Sequence, residues 1–254
     1  MRNVLVTAGA SGIGLAMATA FAEAGDRVFV TDVDEMALAG LPHGWGKARV
    51  DASDEAAMDA LFAETLAPLW GERIHVLCAN AGIAGPTAAV EDVALAEWRR
   101  CIEVNLDGAF LAVRRAAPWM KRAGRGVMIL TSSNAGLNGF PYRAPYAAAK
   151  WAIIGLTKTL AMELGPFGIR ANAICPGCVE GPRIDGVIAR EAAKKGCAPE
   201  AIRAAYEAGV SLRRFSTAED IAATAFFLAS DGARMISGQA LAVDGHTENP
   251  DPKV

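Results

Sequence analysis

Short apolar runs with little polar alternation recur along the chain, at 4–7, 28–31, 48–50, 74–79, 127–131, 170–174 and 240–243. A strand with one wet face would alternate, so unbroken runs predict strands covered on both faces, as in a parallel sheet. Between them, over 14–24, 55–69, 95–122, 145–165 and 218–230, apolar residues return at helical spacing. Strand and helix in regular succession predict an α/β fold, a doubly wound, mostly parallel sheet of about seven strands with helices on both faces. No linker, repeat or charge block divides the chain, so 1–254 reads as one domain. One stretch breaks the rhythm. Residues 178–212 carry Gly, Pro and charge, then a polar helical piece, Glu191-Ala-Ala-Lys-Lys-Gly, followed by 199–208. So long a connection inside an α/β domain predicts a substrate loop or lid.

Composition narrows the function class. The 254 residues are 52% hydrophobic and 21% charged, with a net charge of −3, which suits a globular protein with a large core. Nucleic-acid and membrane-surface partners favour basic clusters, and none is present. No apolar run approaches the ~20 residues of a spanning helix. The opening Met1-Arg2-Asn3-Val4-Leu5-Val6 enters a strand at once and leaves no room for a signal peptide, so a cytoplasmic protein is expected. Five cysteines are not a secreted framework. Cys175-Pro-Gly-Cys178 has the spacing of a metal or redox pair, but no second pair accompanies it and His43, His75 and His246 are scattered. No metal is expected.

After the first strand comes Thr7-Ala8-Gly9-Ala10-Ser11-Gly12-Ile13-Gly14, whose glycines open the next helix. A sharp turn and a close approach to a pyrophosphate demand such residues, and the helix N-terminus directs amide donors at the phosphates. The second strand ends at Asp32, where a carboxylate accepts from the adenosine ribose hydroxyls and repels a 2′-phosphate. Val33 and Asp34 follow it and Ser11 precedes Gly12, so no neighbouring cation is supplied in sequence. NAD is expected over NADP. A helix cap is the plainer role for Asp32. Asp51, past the third strand, is placed equally for the adenine edge or for a turn.

Tyr146-Ala-Ala-Ala-Lys150 sets a phenol and an ammonium one helical turn apart on one face. Ser133 stands at the end of the fifth strand, Asn105 in the long helix, Asn80-Ala81-Gly82 after the fourth strand and Pro176-Gly177 after the sixth. In this order and spacing the chain resembles the short-chain dehydrogenase/reductase family over nearly its whole length. The resemblance implies an NAD-dependent alcohol dehydrogenase or ketoreductase. Tyr146 would be the general acid/base, Ser133 would hold the substrate oxygen, Lys150 would bind the nicotinamide ribose and Asn105 would support a relay water. It also places Ile13, Asn80, Ala81 and Gly82 along the cofactor and Val179 at its carboxamide end. A free phenol near pKa 10 is a poor base at neutral pH, and a nearby cation favours the phenolate. Ser132 would point away from Ser133 on an extended strand.

The chain departs from the family pattern at four places, of which Cys78-Ala79, in place of a more usual polar residue before Asn80, matters little. Ala8 takes the first glycine position, Gly181 stands where relatives often carry a Thr, and Asp244-Gly245-His246 lacks a second glycine. The substrate pocket is expected between 135–143 and the loop after Gly177, with Asn134, Asn138, Tyr142, Arg143 and Arg183 as contacts. A small polar substrate, with an acid group on Arg143 or Arg183, fits the bidentate habit of arginine. A homodimer or homotetramer packed through 95–122 and 145–165 is expected from the resemblance. A dehydratase or epimerase on the same fold, or a non-enzymatic NAD-binding scaffold, are the competing readings.

Overall fold

In β1 (Asn3–Thr7) every residue is buried. Leu5 turns into one apolar layer while Val4 and Val6 turn into the other, because successive side chains leave a strand on opposite faces. The computed structural model, which describes residues 1–251, repeats this rule across seven parallel strands ordered β3-β2-β1-β4-β5-β6-β7. The others are β2 (Arg27–Asp32), β3 (Gly46–Arg49), β4 (Val76–Ala79), β5 (Gly126–Thr131), β6 (Ile169–Pro176) and β7 (Ala240–Val243).

One layer takes Met17 and Phe21 from α1 (Gly12–Glu23), Leu38 from α2 (Glu35–Ala39) and Ile221 and Leu228 from α10 (Ala218–Leu228). The opposite layer takes Met58 from α3 (Glu55–Ala60) and Trp70 from α4 (Ala67–Trp70). It also takes Ala112 and Met120 from α6 (Gly108–Ala123) and Ile153 and Leu160 from α7 (Ala144–Leu164). Strand order reverses between β1 and β4, so a crevice opens at the carboxyl ends of these strands.

All seven expected strands form. The helices differ in three respects. The expected helix over 95–122 is broken: α5 (Leu95–Ile102) passes through a π-helical turn, Glu103–Asp107, before α6 begins. The expected helix over 55–69 likewise holds a π-helical stretch, Leu61–Leu66. The short α2 was not anticipated; Asp34 caps it by accepting from the Ala37 amide.

The stretch 178–212 folds as α8 (Pro182–Lys195) and α9 (Pro199–Ala208) around their own small cluster, in which Ile188, Ile202, Tyr206 and Phe215 are buried. Both helices open on a proline in the first turn, where its missing N–H is not needed. The Tyr206 hydroxyl donates to Glu191 at 2.6 Å, which closes the pair of helices on each other. Among the described residues, no helix is long and apolar enough to cross a membrane.

Candidate active site

A cleft of about 650 Å³ lies over the carboxyl ends of the strands. Ala8, Ser11, Gly12 and Ile13 line one end of it. Ser11 is extended and makes no side-chain cap, so no N-cap side chain satisfies the first amides of α1. Gly12 has φ +49° with open space where a Cβ would stand. Gly9 serves packing instead, since a Cβ there would meet Val30 Cγ1 at 2.9 Å. A Cβ on Gly14 would run into the Ala8 carbonyl and meet Asn80 Nδ2 at 2.7 Å. The loop is therefore an open cradle that fits a pyrophosphate.

Asn80 ties three strand ends together. Its Nδ2 donates to the Ala8 carbonyl at 3.1 Å and its Oδ1 accepts from Thr131 Oγ1 at 3.1 Å. The amides of Asn80 and Ala81 both donate to Thr7 Oγ1. These bonds hold the segment Asn80-Ala81-Gly82 against the cleft.

Asp32 lines the cleft, and its carboxylate accepts from the Ala10 and Asp34 amides at 3.1 Å each. The capping role belongs to Asp34 rather than Asp32. In register, Arg49 stands opposite Asp32 on β3, a neighbour that linear order conceals. Arg49 is exposed and its Nε donates to the Val33 carbonyl at 3.3 Å. Asp51 also lines the cleft, and its carboxylate is engaged in a turn with Ser53 and in an ion pair with Arg100 at 2.9 Å. Burial alone would raise the Asp51 pKa. The Ser53 and Arg100 bonds outweigh it and hold the carboxyl below its ordinary range.

The π-helical turn turns Asn105 inward. Its Nδ2 donates to the carbonyls of Ile83 and Cys101 at 3.0 and 2.9 Å. Its Oδ1 is buried without a protein partner. Gly82 faces both this oxygen and Lys150: a Cβ there would lie 2.6 Å from Asn105 Oδ1 and 3.3 Å from Lys150 Nζ. Lys150 is buried and donates to the Thr131 carbonyl at 2.8 Å. Burial lowers its pKa, against the pull of Tyr146.

Ser133 accepts from the Ala135 amide at 3.2 Å, donates to Asn134 Oδ1 at 3.2 Å and stands beside the Tyr146 phenol. Ser132 instead turns into α7, donating to the Lys150 carbonyl at 2.7 Å. For Tyr146, desolvation pushes the pKa up. Lys150, then Arg183, the Ser133 hydroxyl and Arg143, pull it down, and the net result lies below its ordinary value.

Pro176, Gly177 and Val179 line the far end. A Cβ on Gly177 would meet Asp244 Cβ at 2.6 Å, and Val179 pairs as a bridge with Ser216. Gly181 has φ +129°, a conformation a Thr would adopt only under strain, which accounts for the glycine. Asn134, Arg143 and Arg183 line the cleft, but Asn138 and Tyr142 do not. Asn138 folds back, its Nδ2 donating to the Asn134 carbonyl while its own carbonyl accepts from Trp151. Tyr142 is turned outward at φ +60°. Val187 and Tyr206, brought in by α8 and α9, were not anticipated. They sit in a stretch where spacing marks a loop but not its inward face. Cys175 and Cys178 are free thiols. Burial pushes them to about 11 and about 12. His246 is exposed, with Nδ1 2.6 Å from Ser211 Oγ. Among the described residues, no cluster of His, Cys, Asp or Glu could hold a metal.

Comparison with known proteins agrees with the fold. A family model described as enoyl-(acyl carrier protein) reductase matches residues 7–246. The chain is 36% identical over 250 residues to cis-4-hydroxycyclohexanecarboxylate dehydrogenase of Sinomonas cyclohexanicum, covering 96% of this chain and 95% of that one. It is 34% identical to D-beta-hydroxybutyrate dehydrogenase of Rhizobium meliloti, covering 96% and 97%. The solved structure of NAD⁺-bound xylitol dehydrogenase superposes with a TM-score of 0.90 at 28% identity, covering 96% and 98%. That of levodione reductase gives 0.86 at 31%, covering 96% of each. The chain belongs to the short-chain dehydrogenase/reductase family and is a nicotinamide-dependent oxidoreductase of small polar alcohols or carbonyls.

Proposed function

We propose that the chain works with NAD rather than NADP, with Tyr146 as the proton-transfer group. The observation that carries this is the convergence of the Tyr146 phenol, the Ser133 hydroxyl and the Lys150 ammonium at one end of a cleft whose other end holds Asp32. A nicotinamide held by this cleft, between the loop at Gly12 and the segment 176–179, would supply hydride transfer between an alcohol and its carbonyl. In the oxidation, the Tyr146 phenolate accepts the hydroxyl proton. Ser133 donates to the substrate oxygen and steadies the charge that grows on it. Lys150 keeps the phenolate available at neutral pH. Asn105 Oδ1 and Lys150 Nζ, both next to Gly82, support a bridging water that carries the proton onward, since a buried polar oxygen calls for such a partner. In the reverse direction Tyr146 returns the proton to oxygen. Asp32, already anchored by two amides, has lone pairs left for ribose hydroxyls.

The wider setting follows the same reading. Residues 178–212 form the substrate lid on a single domain, 1–254. Exposed Leu95, Phe110, Trp151 and Met162 on α5, α6 and α7 favour a homodimer or homotetramer packed through these helices. Five free cysteines suit the reducing cytoplasm.

The test is NADH absorbance with purified protein, NAD and a panel of secondary alcohols, including the hydroxycyclohexanecarboxylates and 3-hydroxybutyrate that the relatives' names suggest. Turnover with NAD far above NADP is expected, lost in Tyr146→Phe. Substrate consumed without net NADH would favour a dehydratase or epimerase. Cofactor binding with no turnover of any alcohol or ketone would favour a scaffold.

A further inference from the structure

We propose that the cleft is built for substrates that carry a carboxylate, and that Arg143 is the residue that reads it; this rests on the hydride-transfer reading above and names its substrate class. Arg143 is only 7% exposed and lines the cleft. Its Nη2 donates to the Ala84 carbonyl at 2.9 Å, while its Nε is buried with no partner. Among the described residues it enters no ion pair, whereas Arg2, Arg100, Arg114, Arg115, Arg122 and Arg203 each meet a carboxylate. A buried cation without an anion is destabilising, and chains keep one where a ligand supplies the partner.

Among the described residues no carboxylate pairs with Arg143, and the acidic groups that favour its charge are the phenols of Tyr146 and Tyr206. Its guanidinium carbon lies 4.8 Å from the Tyr146 ring centroid. Tyr206, Arg183 and Arg190 also face it electrostatically. The Tyr206 hydroxyl is committed to Glu191, itself paired with Lys195 at 3.0 Å. Glu180, at the same end of the cleft, is held by Arg203. Arg183 and Lys150 add further positive charge to the cleft. Of the two arginines expected to bind an acid, Arg183 is exposed and reaches only the Gly82 carbonyl at 3.3 Å. Arg143 is the fixed one. It precedes α7, and the Ala88 amide donates to the Tyr142 carbonyl at 3.0 Å, tying the two loops that frame it. A planar donor fork held in place loses little freedom when it binds a carboxylate. Phe140, Ile184, Val187 and the Tyr206 ring give the same end apolar walls. The matching substrate has an apolar carbon frame, a secondary hydroxyl facing Tyr146 and an acid group on Arg143.

The experiment compares kcat/KM for hydroxy acids of graded hydroxyl-to-carboxyl spacing with their methyl esters, in wild type, Arg143→Gln and Arg143→Lys. The wild type is expected to prefer the best acid by about 100-fold. Arg143→Gln, which can still donate to the Ala84 carbonyl, should bring the ratio near one by a loss much larger for the acid than for the ester, with the same small upward move of the pH midpoint for both, since Arg143 is the last of the influences that lower the Tyr146 pKa. Arg143→Lys should fall between. Equal use of acid and ester by the wild type overturns the proposal. So does a parallel loss of both substrates that leaves the acid-to-ester ratio at its wild-type value, which would make Arg143 a positioning residue acting through Tyr146. Calorimetric binding of cyclohexanecarboxylate and its methyl ester to the NADH-loaded protein reads the same contrast without turnover. Acid-selective binding in a protein that oxidises nothing would defeat the hydride-transfer reading alone, and binding without selectivity would defeat this one.

Discussion

The ammonium of Lys150 lies 5.6 Å from the ring centroid of Tyr146 while it donates to the Thr131 carbonyl at 2.8 Å. That bond fixes the cation at the end of β5, so its field on the phenol is permanent rather than fluctuating. Lys150 is the largest influence opposing the burial that would otherwise raise the Tyr146 pKa.

A pH profile follows from this pairing. Alcohol oxidation needs the phenolate, so kcat/KM should rise with pH and level off, with a midpoint below 10 because the Tyr146 pKa is lowered. Lys150→Met removes the chief opposing charge and leaves the desolvation. The midpoint should then move upward, and the rate at pH 7 should drop about 100-fold or more. An unmoved midpoint in Lys150→Met would show that the cation does not tune the phenol.

Gly82 offers a second test, at a position that touches no proton. An alanine Cβ would press on Asn105 Oδ1 at 2.6 Å and crowd Lys150 Nζ at 3.3 Å. Asn105 is pinned by two carbonyls, so the added carbon should fill the space in front of Asn105 Oδ1 and leave no room for the bridging water proposed above. Gly82→Ala should lower kcat at least about tenfold, with a stability loss of about 1–3 kcal/mol. Full kcat with a normal melting curve would remove the proton-relay assignment.

Much of this was legible in order along the chain. Strands buried on both faces write themselves as apolar runs, which is why all seven could be placed from 4–7 to 240–243. Tyr146 and Lys150 were legible because one helical turn fixes their relation before any tertiary contact forms. The inward face of Asn105 was not, since it depends on a π-helical turn with no compositional mark. Asn138 and Tyr142 lie in the expected pocket segment, yet the loop turns them out. Arg49 illustrates the converse: it is 17 residues from Asp32 in the chain and its register neighbour in the sheet.

That register pair shapes the cofactor prediction. Asp32→Ser removes the charge that opposes a 2′-phosphate and leaves a hydroxyl able to accept from the Ala10 amide. Arg49 can then swing from the Val33 carbonyl toward the new anion. The NADP/NAD ratio of kcat/KM should rise about 100-fold, roughly half by loss with NAD and half by gain with NADP. Asp32→Ser with Arg49→Ala should keep the loss and forfeit the gain. An unchanged ratio in the single variant would take Asp32 out of cofactor selection.

Ala8 makes the last prediction, and it concerns stability. Its φ of +49° is in the left-handed region, which costs an L-residue about 1–2 kcal/mol relative to glycine. The strain persists because the surroundings fix it from both sides. The Ala8 carbonyl accepts from Asn80 Nδ2, and the Asp32 carboxylate holds the Ala10 amide two residues on. Ala8→Gly leaves both bonds in place, since each uses the backbone of the loop. Glycine gives back about 0.4–1 kcal/mol through its freer unfolded chain, so a net gain of about 0.5–1 kcal/mol remains. For a chain of this size that amounts to about 1–4 °C in Tm, readable by urea titration and by melting with and without NAD. Cofactor affinity should hold steady, because no side-chain atom of Ala8 donates or accepts. Should Ala8→Gly melt below wild type, the loop would not be strained at this residue, and the departure from glycine there would need another cause.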